Sequence, residues 1–251
     1  MVTLVYDGSF EGLLTCIFDM YEYKFANVSI VEEKNFQETL LGESRLVYTE
    51  EAKAARVWTG LKKKLSQTGI RQFQHSFLSE QKNIANTLLA YAQYVFSSKG
   101  FVDADMSHPA VLEVVNWAKK VYREKHRMEA FVRFQLTADN IYYAVVEPDF
   151  NVLPIIRKHF QDRYADQQWI IHDTRRKYAL YYDLKEVHTV SINITEDSTT
   201  PAGNVFHEEE PLYQKLWQQY FKSVNIAARK NTKLHVQHMP RRYWKFLTEK
   251  K

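Results

Sequence analysis

Cysteine is almost missing from this chain: Cys16 is the single one in 251 residues. One thiol cannot close an intramolecular disulfide, hold an iron–sulfur cluster or build a thiolate zinc site. Cys16 falls off the apolar stripe of its helix and has no basic neighbour in sequence, so nothing marks it as a nucleophile. Glycine (7) and proline (6) are also scarce, which excludes a linker-rich or low-complexity chain. No apolar run approaches the ~20 residues needed to span a bilayer. The opening Met1–Tyr6 has no basic stretch and meets Asp7 too early for a secretory leader. The expected setting is cytoplasmic, with no membrane attachment. A Walker-type loop, a dinucleotide fingerprint, a Gly-x-Ser-x-Gly elbow and a His-Glu-x-x-His pair are all absent, and no cofactor or metal is expected.

What is present is apolar and aromatic: 45% hydrophobic residues, with 16 Tyr and 15 Phe, enough for a substantial core. The net charge of +4 is unevenly placed. Residues 222–251 hold nine Lys/Arg against one acid, Glu249, so this segment is +8 and the other 221 residues are −4. That asymmetry points to a polyanionic partner at one end of the protein, or to a solubilising tail.

Patterning gives the elements. Val2–Tyr6 reads as a strand, and Ser9 is placed to cap a helix whose Phe10, Leu13, Leu14, Ile17, Phe18 and Tyr21 share one face. Residues 28–32 form a possible second strand. A helical region follows, with caps expected at Thr49, Ser79 and Ser107 and helix ends near Gly69, Gly100 and His126. The period then becomes alternating over 132–136, 141–146, 168–172, 178–182 and 187–194, with a helix over 151–164. Residues 195–207 read as a loop, and Glu208–Pro211 open a helix whose Leu212, Leu216, Tyr220 and Val224 stripe is expected to be core. The expectation is one α+β domain over 1–251. Its sub-regions would be a mostly helical 1–126, a sheet-rich 127–194 and a C-terminal helix plus basic segment over 208–251. The helical region is inserted after the first strands, and the sheet is mainly antiparallel.

Few residues carry chemistry by pattern alone. Asp7, between a strand and a helix, is either a turn residue or a polar group at a site entrance. His126, at an expected helix end, is a capping residue or an acid–base candidate. Glu147-Pro148-Asp149, at a strand end, supplies carboxylates for acid–base work or merely a solvated turn. Arg133 alternates away from Val132 and Phe134, so it faces solvent or a groove where it can bind phosphate. His235 and His238 are three apart, but no third metal ligand is in view. The densest signal is at the end: Arg229, Lys230, Lys233, His238, Arg241, Arg242 and Lys245 are interleaved with Tyr243 and Trp244. Cations neutralise phosphates and exposed aromatics stack on bases, which makes this segment the expected nucleic-acid contact. Against that, Trp244, Phe246 and Leu247 can instead pin the terminus to the body.

Tyr6-Asp7-Gly8-Ser9-Phe10-Glu11-Gly12, the run His126–Phe134, Glu147-Pro148-Asp149, Trp217-x-x-Tyr220-Phe221 with Asn225–Arg229, and His238-Met239-Pro240-Arg241-Arg242-Tyr243-Trp244-Lys245 together resemble the bacterial "probable DNA metabolism protein" family. The resemblance implies a setting more than a mechanism. Members stand beside a radical-SAM protein with a helix-hairpin-helix, or are fused to a domain similar to uracil-DNA glycosylases. The implied role is a DNA-binding accessory of repair or modification whose partners are DNA and a radical-SAM protein. Two alternatives stay open: a hydrolytic DNA-processing enzyme using Asp7, His126 or Asp149, and a protein-interaction scaffold.

Overall fold

A computed structural model of the chain describes residues 1–37, 42–192, 206–224 and 232–250, with 220–224 described by backbone alone. It divides into two compact units, Met1–Tyr122 and Arg123–Lys251. No helix among the described residues is long and apolar enough to cross a membrane.

The first unit holds β1 (Val2–Tyr6), α1 (Phe10–Glu22), β2 (Val28–Glu32), β3 (Glu43–Leu46), α2 (Glu51–Lys64), α3 (Gln67–Phe77), α4 (Ile84–Ser97) and the start of α5 (Pro109–Phe131). Its strands are all parallel in the order β2-β1-β3. Leu4, Val5 and Tyr6 bury the central strand, and α1 sets Leu13, Leu14 and Ile17 against it. Cys16 is buried with them, contrary to its expected place off the stripe, and burial pushes its thiol up to about 12. β3 escapes sequence patterning because Glu43, Ser44 and Leu46 are all exposed and no face alternates. Two helices stand where one was expected to reach Gly69, because Leu65 is extended and Ser66 Oγ accepts from Gly69 N at 3.1 Å, starting α3. The expected hydroxyl caps are only partly right. Ser9 does cap α1, but Ser79 bonds Ser76 O and Ser107 bonds Asp105.

The second unit contains the rest of α5, then β4 (Gln135–Leu136), β5 (Tyr142–Val146), α6 (Leu153–Arg163), β6 (Trp169–Asp173), β7 (Tyr178–Tyr182), β8 (Val187–Ser191), α7 (Glu210–Val224) and α8 (Thr232–His238). Two 3-10 turns, Arg241–Phe246 and Thr248–Lys250, close it. The sheet order is β4-β5-β6-β7-β8, with β5 and β6 parallel across α6 and the other pairs antiparallel. A mainly antiparallel sheet is therefore incorrect: one sheet is parallel and the other mixed. Alternation tells which face of a strand is buried but not which way its neighbour runs, and a helical crossover of α6's length permits parallel pairing. Phe160, Trp169 and Tyr182 anchor the core beneath α6.

Three local expectations change here. α5 continues through His126 to Phe131, so the strand expected from Val132 shrinks to Gln135–Leu136. On α7, Leu212 and Leu216 are both more than half exposed, so these two members of the stripe are not core; the side chains of Tyr220 and Val224 lie outside the described residues. The loop expected over 195–207 lies, for 195–205, outside the described residues.

Candidate functional site

In the first unit, Asp7 follows β1 in a turn favoured by Gly8, whose φ of +85° L side chains rarely adopt. The Asp7 carboxylate is fully engaged. Oδ1 accepts from Ser9 N at 2.8 Å and Ser9 Oγ at 2.7 Å, and Oδ2 accepts from Thr49 Oγ1 at 2.8 Å. Partial burial works against its charge, but these hydrogen bonds overcome it and hold the carboxyl below its ordinary range. A Cβ on Gly12 would stand 2.4 Å from Asp7 Oδ1, so only glycine admits the turn. Thr49 thus ties two loops together instead of capping α2.

The second unit collects charge around a residue that sequence reasoning missed. Glu124 lies on the apolar stripe of α5, after Val111, Val114, Val115, Ala118 and Val121, and its side chain is 1% exposed. Its Oε2 accepts from Tyr243 Oη at 2.5 Å and Arg242 Nη2 at 2.8 Å, and Oε1 accepts from Asp149 N at 2.9 Å. Arg127 is 3.7 Å away. Each of these bonds replaces water that burial removed from the carboxylate. An acid on an apolar helical stripe is the signal that would have found it.

Arg242 links this buried anchor to the surface. Its guanidinium is 39% exposed and also pairs with Asp149 Oδ2 at 2.9 Å; Asp149 is itself 47% exposed. Burial opposes the Arg242 charge, but Glu124, Tyr243 and Asp149 outweigh it and hold its pKa above the ordinary value. Lys245 Nζ reaches Glu147 at 2.6 Å, another pair open to solvent. Arg176 bonds buried Asp173 at 2.8 Å and the carbonyls of Pro148 and Asp149, and Arg175 reaches the Asp149 carbonyl at 3.3 Å. The Glu147-Pro148-Asp149 loop is therefore ringed by Arg175, Arg176, Arg242 and Lys245, with Arg127 beside Glu124. Two of the opposing carboxylates are buried, on Glu124 and Asp173, and two are exposed, on Glu147 and Asp149.

The remaining expected residues fall elsewhere. Tyr243 is buried with its hydroxyl on Glu124, and burial followed by that bond raises its pKa strongly. Leu247 is buried too, so this part of the terminus is pinned to the unit. Trp244 is half-buried, donates to Met239 O at 3.0 Å and lies under Arg241 and Lys250. Lys233, His238 and Arg241 are exposed; Arg229 and Lys230 lie outside the described residues. Arg133 lines no open groove: it clamps Glu249, whose side chain is 1% exposed, at 2.8 and 3.3 Å, and Trp217 Nε1 donates to the same carboxylate at 2.9 Å. His126 is exposed and has no hydrogen-bond or ion-pair partner among the described residues. Asp7 belongs to the first unit and Asp149 to the second. Among the described residues no three His, Cys, Asp or Glu are grouped to hold a metal.

A two-unit chain of mixed helix and strand, with an arginine cluster anchored on buried carboxylates, is the class that fold and geometry define. The chain belongs to the family described as a domain of unknown function, DUF4130, whose model matches residues 82–249. That stretch takes in α4, α5 and nearly all of the second unit, while the Tyr6–Gly12 motif falls outside it. None of the curated proteins matches the chain. Among solved structures it is similar to a pGpG-specific phosphodiesterase, PggH, of Vibrio cholerae, at 11% identity and a TM-score of 0.31 over 89% of this chain and 99% of that one, a likeness too distant to support any argument.

Proposed function

We propose that the chain is a DNA-binding accessory protein, and that the Arg242 cluster is where it meets the phosphate backbone. The observation that carries this reading is the split partnership of Arg242, with one carboxylate buried and one exposed. Glu124 fixes the guanidinium from below, so its orientation is set before any ligand arrives. Asp149 and Glu147 occupy the solvent side, where a phosphate can take their places. Exchange of an exposed carboxylate for phosphate costs little, because surface pairs are worth at most about 1 kcal/mol. A bidentate guanidinium–phosphate contact gains both energy and register. Arg127, Arg175 and Lys245 extend the cationic surface along the same loop, and the excess charge of the terminal segment adds attraction at longer range. The absence of sequence motifs for base or phosphodiester cleavage favours a helper acting with a separate catalytic protein, which the family resemblance implies is a radical-SAM enzyme. The hydrolytic alternative has less support: Asp7 is occupied by Ser9 and Thr49, and the His126 side chain has no partner among the described residues to orient it.

Binding of a labelled oligonucleotide by the wild type and by Lys245→Gln and Asp149→Asn variants tests the reading. Lys245→Gln should weaken binding and Asp149→Asn should strengthen it, each several-fold. An acidic protein surface as the true partner would show as no oligonucleotide binding at low salt, and that result overturns the proposal.

A further inference from the structure

The second unit carries a pocket that shares no lining residue with the Arg242 cluster. It has a volume of about 350 Å³ and lies between the flank of α6 and the β7–β8 pair, lined by Asn151, Pro154, Arg157, Tyr178, Leu180 and Thr189. Its construction follows from register. Tyr178 and Leu180 alternate on one face of β7, and Thr189 of β8 is the direct partner of Leu180, so all three share that face. Pro154 and Arg157, three apart on α6, form the opposing wall.

The chemistry of the lining is one-sided. Arg157 is exposed and has no carboxylate, ring or hydrogen-bond partner among the described residues. Every other arginine named in the preceding two sections, where described, has a carboxylate, carbonyl or ring partner. Asn151 Oδ1 accepts from Tyr178 Oη at 2.5 Å, which turns the Asn151 amide N–H groups away from Tyr178 and leaves them with no acceptor among the described residues. The Thr189 hydroxyl is likewise without a partner there. No acid is among the described residues that line the pocket. Between these donors the lining is apolar: buried Leu180 and the Tyr178 ring on the sheet side, and the Pro154 ring on the α6 side. Unmatched donors around an apolar floor call for a ligand that brings acceptors and negative charge at one end and a flat, weakly polar body at the other. A volume near the lower end of small-molecule sites, about 300–1,000 Å³, fits a ligand of nucleotide size.

We infer that this pocket binds a nucleoside monophosphate, free or as one unit of a strand. The phosphate lies on the Arg157 guanidinium and the Asn151 amide, the sugar meets Thr189, and the base lies over Pro154 and Leu180. Occupancy by the free monophosphate does not depend on the DNA reading of the Arg242 cluster.

Calorimetric titration of the full chain with thymidine monophosphate, thymidine and inorganic phosphate tests this. The monophosphate should bind saturably with a dissociation constant at or below about 1 mM, with the nucleoside and phosphate each at least about tenfold weaker, since each lacks half of the contacts. Arg157→Gln, a surface substitution that leaves the core intact, should weaken the monophosphate by about tenfold or more, and Thr189→Val should weaken it by a smaller factor. Oligonucleotide binding through the Arg242 cluster should be unchanged by Thr189→Val, which keeps the two readings distinguishable. No saturable binding of the monophosphate, equal binding of thymidine, equal binding of phosphate, or full affinity in Arg157→Gln would each overturn the assignment.

Discussion

The two units use an aspartate at a strand end in opposite ways. Asp7, after β1, accepts two hydrogen bonds from Ser9 in its own turn and one from Thr49, and all three serve to hold the loops in place. Asp149, after β5, gives its backbone N–H to buried Glu124 and its carboxylate to half-exposed Arg242. From sequence the two look alike, each an acid where a strand becomes a turn. The difference is the reach of the partners: Asp7 is held chiefly within its turn, whereas Asp149 joins segments of α5, the β5–α6 loop and the C-terminus. A locally satisfied carboxylate shapes a loop. One that shares a cation with a buried acid can be displaced by a ligand without unfolding anything.

That contrast makes testable statements about stability. The largest effect should come from Glu124→Ala, which leaves Arg242, Tyr243 and the Asp149 N–H without their buried acceptor. Breaking a buried pair in this way costs about 3–5 kcal/mol. Hydrogen exchange should place the loss in the second unit, and an equal loss in the first would break the comparison. Arg133→Ala should follow, at about 2–3 kcal/mol, because it strands the buried Glu249 carboxylate. Burial alone would raise the Glu249 pKa; Arg133 and Trp217 reverse that and hold it below the ordinary 4.5. Urea unfolding measures this, and an unchanged midpoint would return Arg133 to the role of a free surface cation. Gly12→Ala should cost about 1–3 kcal/mol by overpacking the Asp7 turn, with oligonucleotide binding by the folded protein unaltered. A loss of binding there would move function into the first unit.

The smallest effect is a pH dependence. His172 is buried, with Nδ1 2.7 Å from Tyr143 Oη. Burial holds its pKa below the ordinary 6.5, and the nearby Asp173 only partly opposes this. The unfolded chain therefore takes up this proton at higher pH than the folded one. The stability His172 contributes is complete above pH 6.5 and is lost as the pH falls from there through its lower folded value. Unfolding midpoints measured below pH 6.5 should drop less steeply in His172→Gln than in the wild type, and parallel slopes would show that another group titrates.

Elements with a clear apolar period were legible before any coordinates: β1, α1, β7 and the helix over α6 stand where alternation and 3.6-residue spacing place them. β3 was not, since an exposed edge strand has no buried face to alternate. Strand direction was not, because pairing partners are chosen across the chain. The site divides in the same way. Arg242, Lys245 and Asp149 were visible as charged residues, but Glu124 was hidden inside a valine-rich helix face, and Arg175 and Arg176 belong to no motif that the sequence singles out. Tyr243 was read as a stacking platform because aromatic residues between cations look the same whether they face solvent or a buried acid. Arg157 stood out only when its lack of a partner among the described residues became visible.

In the proposed binding mode, phosphate displaces exposed carboxylates from cations fixed by buried ones. A salt titration of oligonucleotide binding, with wild type and Asp149→Asn side by side, tests it most directly. For about four phosphate contacts the slope of log K against log salt should be roughly −3 to −4. Asp149→Asn should bind more tightly at every salt concentration, since the phosphate no longer competes for Arg242. Binding that ignores salt, or an Asp149→Asn variant no tighter than the wild type, would contradict the account.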